Sequence, residues 1–222
     1  MRTCDGAWLS RTVERRHSIR SHALTHHAPN LLDSALHDGC GLRVAFDWQA
    51  DRYAHQLICL VDGSPTPLLS SIEGIADERW PASPPFQQLS IEEGVDESRV
   101  AFLVGMAGQS HWSASIQVAA DRPRVEFDVA CLARDTASHL GSAYRREIEP
   151  SSEDTGQITF SLANGCLIKL NVTGIENEPP GRLQSDDAQI AISCGWPRRP
   201  APVTHRWKYT IEMAPGYPQS VE

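Results

Sequence analysis

Glu126 and Asp128 are the two carboxylates best placed in this sequence to act together. They stand two residues apart in RVEFDVACLAR, residues 124–134, where Val125, Phe127, Val129, Cys131 and Ala133 take the alternate positions. In an extended strand, residues i and i+2 share a face with Cα atoms about 7 Å apart. That spacing lets one acid and one base work on the same group. The preceding stretch, HWSASIQVA, alternates as well, with Trp112, Ala114, Ile116 and Val118 on one side and His111, Ser113, Ser115 and Gln117 on the other. Asp121-Arg122-Pro123-Arg124 between the halves is turn chemistry.

The two halves are therefore expected to close as a hairpin. Folding about Arg122 and Pro123 sets Val118 opposite Phe127 and Ile116 opposite Val129, and lays Gln117 across from Asp128. One polar face then carries acids, an imidazole, hydroxyls and an amide together. Its functional reading is a floor for a sugar-like ligand, with Glu126 or Asp128 and His111 as acid and base if the site is catalytic. Its plainer reading is the solvated side of an antiparallel sheet, which alternation demands in any case.

A second candidate is the loop DERWPASPPF, residues 77–86. Proline fixes local geometry at low entropic cost, so Trp80 and Phe86 are expected to present flat surfaces on which a sugar ring can stack. Arg79, Gln87 and Gln88 would add planar polar contacts. The alternative makes Trp80 a plug over the end of the core. Ser110 and His111 are adjacent, but neighbours on an extended chain point apart, which disfavours them as nucleophile and base. His22 and His26 have a helical metal-binding spacing without a third ligand, so no metal is expected.

Recognisable enzyme signatures are missing. The chain has no phosphate-binding GxxxxGK[ST], no strand followed by GxGxxG and a helix, no GxSxG elbow and no HExxH. Glycoside chemistry needs only two carboxylates placed by the fold, so it leaves no short motif to find. The net charge is -8, and residues 1–40 hold five Arg against four acidic residues, which puts the acidity in the body. Such a body repels phosphate backbones, so nucleic acid is not an expected partner. No apolar run approaches a membrane span, and no export segment opens the sequence, which points to the cytoplasm. The six cysteines show no CxxC pair, and Cys59, Cys131 and Cys194 each fall on the apolar side of an expected strand. They read as small buried hydrophobes in a reducing compartment.

The elements that must position these residues are strands. Leu42, Val44, Phe46 and Trp48 alternate, Leu57 to Val61 is apolar on both sides, and Asp62 to Pro67 ends that run. Strands are expected at 68–75, 86–91 and 99–106. In the last of these Val100, Phe102, Val104 and Met106 oppose Ala101 and Leu103, so it reads as internal. A hairpin over 157–172 keeps its apolar faces together only with Ala163-Asn164-Gly165 as a three-residue loop. Residues 135–142 read as a helical turn or crossover and 174–187 as a polar loop, before strands at 188–194 and 203–213.

These signals imply an all-β chain, a single antiparallel sandwich of about ten to twelve strands. The expected organisation is a flexible polar leader over 1–39, the sandwich over 40–215 and a tail over 216–222. The leader's Leu24, Leu31, Leu32 and Leu36 have the makings of a short helix. The expected function is a non-catalytic binding module for a carbohydrate or similar polar ligand, with no cofactor. Its alternatives are a metal-independent sugar isomerase or hydrolase, and a structural or interaction domain.

Overall fold

The computed structural model of the chain describes residues 30–94, 98–176, 181–186, 188–195 and 200–214. These residues form an all-β sandwich of two antiparallel sheets. In chain order the strands are β1 (Asn30–Asp33), β2 (Cys40–Gln49), β3 (Arg52–Val61), β4 (Ser64–Ser71), β5 (Phe86–Glu93), β6 (Arg99–Ala107), β7 (Ser110–Val118) and β8 (Arg124–Ala133). They continue as β9 (Gly141–Arg146), β10 (Ser152–Asp154), β11 (Gln157–Ser161), β12 (Leu167–Thr173), β13 (Arg182–Ser185), β14 (Gln189–Ser193) and β15 (Val203–Ala214). The smaller sheet has the order β1-β2-β3-β4-β9-β14-β13 and the larger β10-β11-β12-β15-β8-β7-β6-β5.

Alternation builds the core between the sheets. Leu42, Val44 and Phe46 from β2 meet Ile116, Phe127, Val129, Trp207, Tyr209 and Ile211 from the larger sheet, all but fully buried. Each such side chain stabilises the fold by about 1.5–3 kcal/mol through removal from water. Phe127 stacks on Tyr209 with centroids 4.6 Å apart and planes at 7°. Trp48, the next residue in the β2 pattern, is instead exposed and edge-on to Tyr53, because the strand has run past the core by then.

Several expectations shift in detail. The β7–β8 hairpin forms, but Val118 pairs with Val125 and Ile116 with Phe127, two residues from the expected register. A two-residue shift keeps every side chain on its face, so the apolar pattern cannot detect it. The turn decides it: Ala119 N donates to Arg124 O, and the Pro123 carbonyl accepts from Met213 N, which draws Pro123 out of the turn toward β15. Gln117 consequently lies opposite Glu126, and Ser115 opposite Asp128.

The ordered sheet also starts earlier than residue 40. Leu31 and Leu32 are in β1 rather than a helix, with Leu32 fully buried and Asp33 accepting two hydrogen bonds from Arg43 at 2.6 and 2.7 Å. The leader expectation for residues 1–29, with His22 and His26, lies outside the described residues, as does the tail. The apolar run of β3 ends at Val61 as expected, but Pro65 and Pro67 themselves belong to the next strand. After a two-residue turn at Asp62 and Gly63 with both φ values positive, they lie in the part of β4 that pairs only with β3, where a missing donor is tolerated. Residues 135–140 contain no helix, and the short strands β10 and β13 occupy stretches too polar to read as strands. The hairpin at 157–172 has its expected register, Phe160 against Ile168, with Gly165 at φ 84° as a three-residue bulged turn requires.

Candidate functional site

The outer face of the larger sheet is a grid. Row by row across β6, β7, β8 and β15, it presents Met106, His111, Leu132 and Thr204; then Val104, Ser113, Ala130 and Arg206; then Phe102, Ser115, Asp128 and Lys208; then Val100, Gln117, Glu126 and Thr210. Gln88 on β5 stands beside Val104.

The first two rows enclose an open hollow of about 510 Å³. Gln87, Gln88, Val104, Met106, His111, Ser113, Ala130, Leu132 and Thr204 line it, together with Gly105 and Trp112. Phe102, Val104 and Met106 are each 45% exposed, so the second apolar side of β6, read from sequence as internal, faces solvent. Its inward side, Ala101 and Leu103, is in the core. A bulge between Phe86 and Gln88 shapes the rim, where the Gln87 side chain stands in for a backbone partner. It donates to Met106 O at 3.1 Å and accepts from Met106 N at 3.0 Å. Gly105 permits this approach, since a Cβ there would lie 1.8 Å from the Pro85 carbonyl oxygen.

Charge laces the remainder of the face, from Arg206 in the second row, which reaches toward the third, to Glu126 in the fourth. Asp128 accepts two hydrogen bonds from Arg206, one of them 2.6 Å from Nε to Oδ1. Glu126 meets Lys208 at 2.5 Å and Arg124 at 3.1 Å. Both carboxylates are thus engaged with cations. His111 pairs with Leu132, four residues along β8 from Asp128, or about 13 Å of strand rise. The structure does not bring His111 together with either acid at the distance that acid and base work on one group requires. Gln117 lines a separate hollow of about 250 Å³ with Arg122, Arg124 and Glu126.

The other sequence candidates divide. Gln88 and His111 meet in the hollow of rows one and two. Phe86 is core, 2% exposed, which removes it as a stacking surface. Trp80 is half-buried and edge-on to Trp112, which in turn meets Trp207, so it closes one end of the core. Arg79 is exposed and paired with Asp135 at 3.2 Å. Ser110 is buried with its hydroxyl accepting from Arg134 N, on the side away from His111.

Sequence reasoning missed the lining residues Val104, Met106 and Leu132, whose alternation looks the same whether a face is covered or open. It also missed a buried polar chain between the sheets. His55 Nε2 lies 2.8 Å from Tyr144 Oη, and Tyr144 Oη lies 2.5 Å from Tyr209 Oη. Burial pushes the His55 imidazole down to about 4 and raises both phenols. Glu73, nearby on the crossover after β4, is also raised by burial, and its Oε1 accepts from Ser71. Tyr144 and Tyr209 are fully buried, while His55 at the end of the chain lines an open hollow of about 520 Å³ with Phe46, Gln56, Ser71 and Arg145.

Among the described residues no three His, Cys, Asp or Glu side chains are grouped to hold a metal ion, and no helix is long and apolar enough to cross a membrane. No protein-family model matches the chain, and no curated protein matches it.

Proposed function

We propose that this protein is a non-catalytic binding module for a carbohydrate or a similar polar, uncharged ligand, held in the hollow of rows one and two. One observation carries the reading. The described lining contains no Asp, Glu, Lys or Arg, yet sets exposed Val104 and Met106 and half-buried Leu132 among the hydrogen-bonding groups of Gln88, His111, Ser113 and Thr204. A sugar ring has the matching character, with C–H faces that seek apolar cover and a rim of hydroxyls that both donate and accept. Phosphates and carboxylates would find no cation in that lining, whose charge is paired off farther along the same face. Phe102, next along β6, supplies an exposed ring for a ligand that extends beyond the hollow. A cytoplasmic setting belongs to the same proposal, supported by the use of five cysteines as buried thiols.

The test is a glycan array of neutral and acidic saccharides, followed by calorimetry with the best hit on wild type and on Val104→Asp. Binding of neutral sugars that Val104→Asp abolishes supports the assignment. Preference for acidic sugars, binding indifferent to Val104→Asp, or no binding across the array overturns it.

A further inference from the structure

We propose that Cys40 and Cys166 form an oxidation site at which a small peroxide closes a disulfide between the two sheets. Cys40 opens β2 in the smaller sheet, and Cys166 leads into β12 in the larger. They are 126 residues apart in sequence, yet their Sγ atoms lie 3.0 Å apart. Both side chains are buried. This is a built arrangement, since the turn before β12 holds Cys166 in place from two directions. Cys166 N donates to Asn164 Oδ1 at 3.1 Å, and Asn164 Nδ2 returns a hydrogen bond to Cys166 Sγ at 3.1 Å and reaches Cys40 Sγ at 3.8 Å.

That geometry assigns the roles. The Asn164 amide donates to Cys166 Sγ and orients it beneath the exposed turn, so Cys166 is the sulfur that attacks the peroxide. Cys40, buried with its thiol pushed up to about 11, keeps its proton and resolves the product. In the first step a sulfur–oxygen bond forms at Cys166, the oxygen–oxygen bond breaks, and the departing hydroxide takes up a proton as water. In the second, Cys40 sulfur attacks Cys166 sulfur, the sulfur–oxygen bond breaks, and hydroxide leaves with the Cys40 proton as a second water. Each sulfur gives up one electron, and the peroxide accepts two. Access is short, because Asn164 and Gly165 are exposed and the pair lies directly beneath them.

The closed bond would bridge a long stretch of chain and so restrict the unfolded ensemble strongly. Full-length protein is to be reduced, treated with hydrogen peroxide under native conditions, and compared with its reduced form by non-reducing peptide mapping, thiol titration and thermal unfolding. The expected result is a Cys40–Cys166 linked peptide within single chains, two thiols lost per chain, and a Tm raised by roughly 5–10 °C. Dithiothreitol should reverse all three. Asn164→Ala should slow closure at least threefold without lowering its final extent. A link that uses another cysteine, a link between chains, or Cys40 and Cys166 still alkylatable after free glutathione in the same tube is fully oxidised would each overturn the proposal.

Discussion

The two ends of the larger sheet's outer face obey the same alternation and differ in how their polar atoms are occupied. At one end Asp128, Glu126, Arg206, Lys208 and Arg124 satisfy one another, each of Arg206 and Lys208 reaching a carboxylate one row farther from the hollow. At the other, exposed Val104 and Met106 and half-buried Leu132 stand beside Gln88, Ser113 and Thr204. The acidic end attracts attention in sequence because carboxylates are the residues of catalysis. In the fold they are partners in a charge ladder of the kind that solvates a sheet and contributes little energy. The lesson is that an unpaired apolar surface on an open face is a stronger pointer to binding than a pair of acids whose charge is already answered.

The largest expected effect comes from beneath the charged end, where the His55 ring lies 5.8 Å from that of Phe127, the residue between the two acids. Burial holds His55 neutral down to about pH 4, against about 6.5 when unfolded, so the unfolded chain binds the proton more readily. Its contribution is complete above pH 6.5 and is lost as pH falls toward 4, by roughly 3 kcal/mol in all. Denaturant unfolding at pH 7.5, 5.5 and 4.5 reads this directly, and a flat profile would contradict it.

At the apolar end, Val104→Asp should weaken saccharide binding at least tenfold while Tm moves by no more than about 2 °C, because Val104 is half in solvent. Calorimetry and thermal unfolding on the same sample separate the two. Phe102→Ala should cost about threefold for a ligand longer than one ring and leave monosaccharide binding unchanged, which would sharpen where the apolar end stops. The smallest effect is expected from Asp128→Asn: binding within twofold of wild type and stability lower by at most about 1 kcal/mol, less in high salt. A large loss of binding in that variant would reverse the ranking of the two ends.

Much of the fold was legible because side-chain alternation and sheet geometry share a period of two. Ile116 and Phe127 are buried as their patterns require, and Gly165 takes the left-handed turn that the pairing of Phe160 with Ile168 demands. Register was legible only to within a face, since a shift of two leaves the pattern intact and the deciding hydrogen bonds come from β15, far along the chain. The site was half legible. His111 and Gln88 were singled out and meet in the hollow, but Phe86 went to the core and Trp80 to its end, because a proline-rich crossover that closes a sandwich has the same composition as one that presents rings to a ligand. No local pattern announces that Cys40 will meet Cys166, or His55 Tyr144, since packing of one sheet on the other creates both contacts.

The ligand is proposed to sit at the end of this face that carries Val104, Met106 and Leu132. Titrating isotope-labelled protein with the best neutral saccharide and following backbone amide shifts tests it most directly. Saturable shifts are expected at Gln88, Val104, Met106, His111, Ser113 and Leu132, with Gln117, Glu126 and Asp128 unmoved. Shifts centred on the three latter residues, or on the smaller sheet, would contradict it.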